Sequence, residues 1–233
     1  MSYNWFVVFA DVGEVELTVS DTIINSRNVY HAVGFGKSNS WWDKFFPVRD
    51  YYETWVYQDN LLPIRFKKTV QEGGFRVKVD YRFAREDSTV YSAYATYDND
   101  PTLDTIAAPP CTYDVISALL NARNFNFNNI EPGDKFPITI ILDRDIFNLY
   151  FRYIGIEEKK IKHVGTFECM KFAVLVVEGT VFDGGEDLNI WVTNDKNRIP
   201  IYAESPIIIG NVRARITKIE NTRYPLTSKI EDD

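Results

Sequence analysis

Only two histidines, His31 and His163, occur in the chain, and neither has a Cys, Asp or His at metal-ligand spacing. The imidazoles therefore predict no zinc or iron site. Oxygen ligands are more numerous: Asp183, Glu186 and Asp187 in one turn, and Asp195 with Asn197 in another, have the chemistry to hold calcium. Asp, Asn and Gly are also what tight turns require, so no metal is assigned. A serine or cysteine nucleophile needs a positioned base, and neither a nucleophile-elbow pattern nor a Cys motif near a histidine is present. Glycoside cleavage needs two carboxylates flanking one bond, and Glu53, Asp80 and Glu178 would serve if a barrel mouth brought them together. Strand charges usually face solvent, so no catalytic residue and no cofactor is assigned.

What remains is a density of aromatic and basic groups in WWDKFFPVRDYYETWVYQDNLLPIRFKKTVQEGGFRVKVDYRF, Trp41 to Phe83. Trp41, Trp42, Trp55, Tyr57 and Arg65 have the character to line an apolar groove or to stack on sugars. Cross-strand aromatic pairing is the competing use of the same residues. Arg49 beside Asp50, and Glu72 among lysines, read as structural ion pairs.

The elements that must position these groups are strands. Phe75, Val77, Val79, Tyr81 and Phe83 alternate with Arg76, Lys78, Asp80 and Arg82, the pattern of a half-buried strand. Gly73-Gly74 supplies positive φ for a tight turn, and before it Ile64, Phe66, Lys68 and Val70 share a face. Asp50 to Gln58 precedes them, so a three-stranded antiparallel meander is the nucleus of the fold. Upstream, Trp5–Phe9, Gly13–Ser20 and Val29–Lys37 read as strands. In the third of these, Gly34 and Gly36 leave a bare stripe where another element or a ligand could approach.

Thr89–Tyr97 predicts another strand, and Asp98 to Thr112, with Pro101, Pro109 and Pro110, an irregular connection. One helix follows at Tyr113–Asn124, with Thr112 as N-cap and an apolar stripe of Ile116, Leu119, Leu120 and Ala122. Strands at Phe136–Leu142, Ile146–Ile154, Ile156–Lys162, Thr166–Val177, Leu188–Thr193, Ile199–Glu204 and Asn211–Glu220 complete the pattern. The predicted fold is all-β. A large curved antiparallel sheet forms an incomplete β-barrel or a two-layer structure, with one main helix, as a single domain over 1–225 and a polar tail over 226–233.

Composition agrees. The 233 residues include 16 Phe, 14 Tyr and 5 Trp, suited to wide pleated surfaces. A net charge of −7 disfavours nucleic acid, whose phosphates require a basic field. No run approaches the roughly 20 apolar residues of a membrane-spanning helix. Met1 to Trp5 shows no basic start followed by a long apolar region, so no signal peptide is read here. Two cysteines, Cys111 and Cys169, permit one bridge but are too few for a disulfide framework, and buried thiols are the expected state.

Several phrases taken together carry a resemblance: FGKSNSWWDKFFPVRDYYETWV, LLPIRF followed by EGG, TYDVISALLNARNF, PITIILD, YIGIE, GTFECMKF, EGTVFDGGEDLNIWVTNDKNRIPI and ESPIIIGNVRA. In order and spacing they resemble a domain-of-unknown-function family of exported envelope proteins from Bacteroidetes and other Gram-negative bacteria. The resemblance implies a YmcC-like antiparallel β architecture related to capsule-export components. It also implies periplasmic or outer-envelope localisation behind a signal peptide, which this chain lacks; its start would then be mis-set or trimmed. In that compartment a Cys111–Cys169 bridge is permissible. The functional expectation is noncatalytic binding of an apolar or glycan ligand in or on the sheet. A docking role in an envelope assembly and a glycan-active hydrolase are the alternatives.

Overall fold

The computed structural model describes residues 1–7, 10–176, 185–207 and 210–230. In chain order the elements are β1 (Ser2–Val7), β2 (Ala10–Ile24), β3 (Arg27–Ser38), β4 (Arg49–Tyr57), β5 (Pro63–Glu72), β6 (Phe75–Ala84), β7 (Thr89–Thr96), β8 (Thr102–Ala107), β9 (Thr112–Tyr113), α1 (Val115–Ala122), β10 (Lys135–Leu142), β11 (Asp145–Ile161), β12 (Gly165–Val176), β13 (Gly185–Thr193), β14 (Pro200–Ile207), β15 (Gly210–Lys218) and β16 (Lys229–Ile230). They form two compact units. One comprises Gly13–Ala122 with Ile138–Asn148, and the other Met1–Val12, Arg123–Pro137 and Leu149–Asp233.

In the Gly13–Ala122 unit, β2 to β8 pair antiparallel in sequence order. The turns supply the backbone this needs: Asn25 and Ser26 (φ 49° and 61°) close β2 on β3, and Gly73 (φ 56°) closes β5 on β6. Alternation in β6 buries Val77, Val79 and Tyr81 and exposes Arg76, Lys78 and Arg82. The buried side chains join Phe66, Val70, Val90, Ala108 and Ile141 in one core. Phe66 stacks on Tyr81 at 5.8 Å, and the Tyr81 hydroxyl accepts the Arg144 amide at 2.9 Å, so this large ring is buried with its polar end satisfied.

The helix differs from its expected limits. Thr112 and Tyr113 pair in parallel with Thr139 and Ile140, and α1 begins at Val115 with Asp114 as its cap. Asp114 Oδ1 accepts the Ile116 and Ser117 amides at 2.9 and 3.0 Å, whereas the Thr112 hydroxyl donates to the Pro109 carbonyl. The stronger acceptor two residues on displaces the threonine. The glycine stripe of β3 is used by this helix: a Cβ on Gly34 would lie 3.4 Å from Ile116 Cδ1.

A second correction concerns the proline-containing connection. Thr102–Ala107 is a strand, β8, paired with β7 and largely exposed. Its weak apolar alternation is that of a sheet edge, where β8 ends the strand order among the described residues. The Asp104 carboxylate accepts the Thr105 amide at 2.8 Å.

In the other unit, β1, β15, β14, β13, β12 and β11 pair antiparallel in that order, and β16 pairs with β12. The two strands expected at Ile146–Ile154 and Ile156–Lys162 are one strand, β11, whose register shifts between Tyr153 and Gly155. Gly155 (φ 152°) absorbs the extra residue as a bulge, so the glycine bends the strand without ending it. Phe125, Phe127, Phe136, Phe151 and Phe172 form a ring cluster, with Phe136 stacked on Phe151 at 5.4 Å. A second cluster holds Ile161, Phe167, Cys169, Trp191, Ile199, Ile201 and Ile216. Leu226 packs against it, and the Ser228 hydroxyl donates to Asp195 at 2.6 Å. The polar tail is therefore anchored as far as β16.

Candidate functional site

The residues expected to bind a ligand occupy two places. Trp55, Tyr57 and Arg65 stand on the face of the β2–β8 sheet opposite the core, because β4 alternates them with buried Thr54 and Val56 and Arg65 pairs with Trp55 across β4 and β5. Each is already engaged. Trp55 stacks on His31 at 4.5 Å with an interplanar angle of 7°, and His31 Nε2 meets Glu53 at 3.1 Å. The Arg27 guanidinium lies 3.6 Å over the Tyr57 ring, and Arg65 forks onto Asp80 with Nε at 2.9 Å. This is a cross-strand ladder of aromatic and charged pairs.

Trp41 and Trp42 lie elsewhere, in the β3–β4 connection, where Trp42–Lys44 form a single 3-10 turn. Ser38, at the base of this connection, is seven steps along β3 from His31 under Trp55, roughly 23 Å at the rise of a strand. The five residues thus share no groove. An open depression of about 600 Å³ is lined by Asp21, Thr22, Ile23, Asn28 and Gln58 and includes none of them.

The turn itself is rigidly built. Asn39 Oδ1 accepts the amides of Trp41 and Trp42 at 3.1 and 3.0 Å, Asp43 N donates to Asn39 O, and the amides of Phe45 and Phe46 donate to Trp42 O. Arg49 forks onto Asp43 at 2.9 and 2.6 Å, and the Ser38 hydroxyl donates to the same carboxylate. Those bonds hold the Asp43 carboxyl down at about 2. On this frame Trp41, Phe45 and Phe46 are 60%, 68% and 51% exposed. The repeated aromatics of WWDKFF were the signal for the two phenylalanines, which the expected set left out.

The carboxylates divide similarly. Glu53 and Asp80 do share a face, in one row across β4, β5 and β6 with Lys67 between them. Glu53 is bonded to His31 and Asp80 to Arg65, so neither is offered to a sugar, and Glu178 lies outside the described residues. Of the two turns considered for calcium, Asp183 is likewise outside the described residues, and Glu186 is bound by Arg152 and by the Tyr150 hydroxyl, which hold its carboxyl down at about 2. Asp195 and Asn197 clasp the C-terminal segment at Ser228, Tyr224 and Pro225. Among the described residues no group of three or more His, Cys, Asp or Glu is placed to hold a metal ion.

Both cysteines are free. Cys169 is buried as expected, and burial pushes its thiol up to about 12, whereas Cys111 is exposed on the proline-rich connection, contrary to the expectation of two buried thiols. Sequence reading also missed a buried carboxyl. Asp50, on the core face of β4, is pushed up to about 6, first by burial and then by the neighbouring Glu72. No described helix is long and apolar enough to cross a membrane.

The described residues form a mainly antiparallel β structure with one α-helix, and its fold recurs. The crystal structure of a beta-barrel-like protein of domain of unknown function DUF1849 from Brucella abortus matches with a TM-score of 0.56 and 9% identity, over 93% of this chain and 94% of that one. At that identity the likeness speaks for the fold alone. The chain belongs to the DUF3108 family, described as a protein of unknown function, whose pattern matches residues 1–217. No curated protein matches it.

Proposed function

We propose that this DUF3108 protein is a noncatalytic binding protein of the Gram-negative cell envelope, exported to the periplasm and YmcC-like, that holds an apolar or glycan ligand at the Trp41–Phe46 turn of its β-sheet. The observation that carries the reading is the Trp41–Phe46 turn, where three large aromatic side chains are exposed on a backbone fixed by internal hydrogen bonds. Exposing that much aromatic surface in one place marks an interaction site more often than chance. The envelope location is supported by the order and spacing of the phrases from FGKSNSWW to ESPIIIGNVRA.

Mass spectrometry of protein released gently from envelopes tests the reading. Copurified lipid or glycan is expected with the native chain and is expected to be depleted in a Trp41→Ala, Phe45→Ala variant. Native protein recovered empty overturns it. The same exposed aromatics favour a second reading, a docking component of an envelope or capsule-export assembly, for which a stoichiometric envelope protein captured through this turn is the distinguishing result. A glycan-active hydrolase would have to free Glu53 and Asp80 from His31 and Arg65 first.

A further inference from the structure

A meander sends alternate connections to opposite ends of its sheet. In the β2–β8 sheet the connections at 39–48, 73–74 and 97–101 share one end, and those at 25–26, 58–62 and 85–88 share the other. The second set carries no aromatic residue and adjoins only Tyr57, which is half-buried beneath Arg27. The first set carries or adjoins Trp41, Phe45, Phe46, Phe75 and Tyr97, all of them exposed. The Phe46 ring lies against Gly73, where a Cβ would come within 2.9 Å of its Cε2, and two residues on Phe75 meets Tyr97 edge to face at 6.1 Å.

Most backbone polar groups of the Trp41–Phe46 turn are used internally, whereas the buried Trp42 indole N–H has no hydrogen-bond partner among the described residues and Asp100 on the 97–101 connection is exposed. The amides of Trp41, Trp42, Asp43, Phe45 and Phe46 all have acceptors within the turn. Asp43 is paired with Arg49, and Arg76 with Asp98 at 3.6 Å. Lys44, exposed at the tip, has no hydrogen-bond or ion-pair partner among the described residues. A sugar or an extended peptide is recognised through polar groups beside the rings, and this turn has few left to offer. A bilayer boundary makes the opposite demand: backbone donors satisfied from within, amphipathic aromatic rings, and a lysine able to reach phosphate.

We infer that this end of the sheet is a membrane-contact rim, and that its occupant is the headgroup–acyl boundary of a lipid bilayer. The inference rests on the binding reading above and names its ligand.

Flotation of the full chain with phosphatidylcholine vesicles, with and without phosphatidylglycerol, tests it. The chain should float. Trp41→Ala and Phe45→Ala should each weaken partition by about tenfold, the scale of one large aromatic side chain withdrawn from an apolar contact. Lys44→Glu should remove the gain from phosphatidylglycerol, and Trp55→Ala, in the ladder on the sheet face, should leave partition unchanged. Bromine on the acyl chains of the vesicles should quench tryptophan emission in the native chain and less in Trp41→Phe. If the chain ignores vesicles but binds monomeric lysophosphatidylcholine or an oligosaccharide through Trp41, the inference is overturned and the binding reading stands. Self-association through Trp41 and Phe45 without vesicle binding also overturns it, and binding to none of these probes overturns both.

Discussion

Replacing Asp50 with asparagine should make the protein more stable at neutral pH. Asp50 is 6% exposed on the core face of β4, its Oδ1 accepts the Gln71 amide at 3.2 Å, and Glu72 stands beside it. The groups facing it are Glu72, Lys68 and Tyr52, and Lys68 is itself committed to Asp143 at 2.7 Å. Burial and Glu72 raise the Asp50 carboxyl from 3.8 to about 6. Between those values the folded chain keeps a proton that the unfolded chain has released, so stability falls as pH rises through the interval. At ~1.4 kcal/mol per pH unit the loss is about 3 kcal/mol, complete above pH 6. Asparagine keeps the Gln71 acceptor and cannot ionise. In urea titrations Asp50→Asn should match the native chain near pH 4 and exceed it by up to about 3 kcal/mol at pH 8, other carboxylates cancelling in the comparison. Equal pH profiles for the two proteins, or a less stable variant at pH 8, would refute the reasoning.

Further expectations concern Asp114 and the thiols. Asp114→Ala removes the acceptor for two amides and for the hydroxyls of Thr54 and Ser117, each 2.7 Å from Oδ2, in a fully buried site. It should cost about 3 kcal/mol or more in denaturant unfolding, with Asp114→Asn costing clearly less; equal losses would show that the hydrogen bonds are not what the site contributes. A thiol reagent should modify Cys111 in the native chain and Cys169 only after unfolding, as thiol counting by mass spectrometry would show; two fast thiols would contradict the burial of Cys169.

Much of the β2–β8 sheet could be read from period-two alternation, because β6 shows its buried and exposed faces residue by residue and Gly73-Gly74 punctuates the turn. Alternation assigns a residue to a face but does not say what stands opposite it. That is why Trp55 and Arg65 were grouped with Trp41 and Trp42, although neighbouring strands supply His31 and Asp80 as partners for the first pair. Asp50 was hidden for the same reason: next to Arg49 it suggests an ion pair, yet the pleat turns the two apart and Arg49 goes to Asp43. The edge strand β8 and the bulge at Gly155 were missed because proline and glycine mark both interruptions and adjustments of a strand.

Strand β8 leaves the β2–β8 sheet with an open margin, and six residues of extended backbone are enough to recruit a stray chain in a crowded compartment. Asp104 works against that recruitment. Its carboxylate holds the following amide and sets a negative charge along the margin, so a newcomer would meet repulsion and one donor fewer. Loss of this acidic side chain should therefore show first as fibrils or precipitate rather than as a misfolded interior.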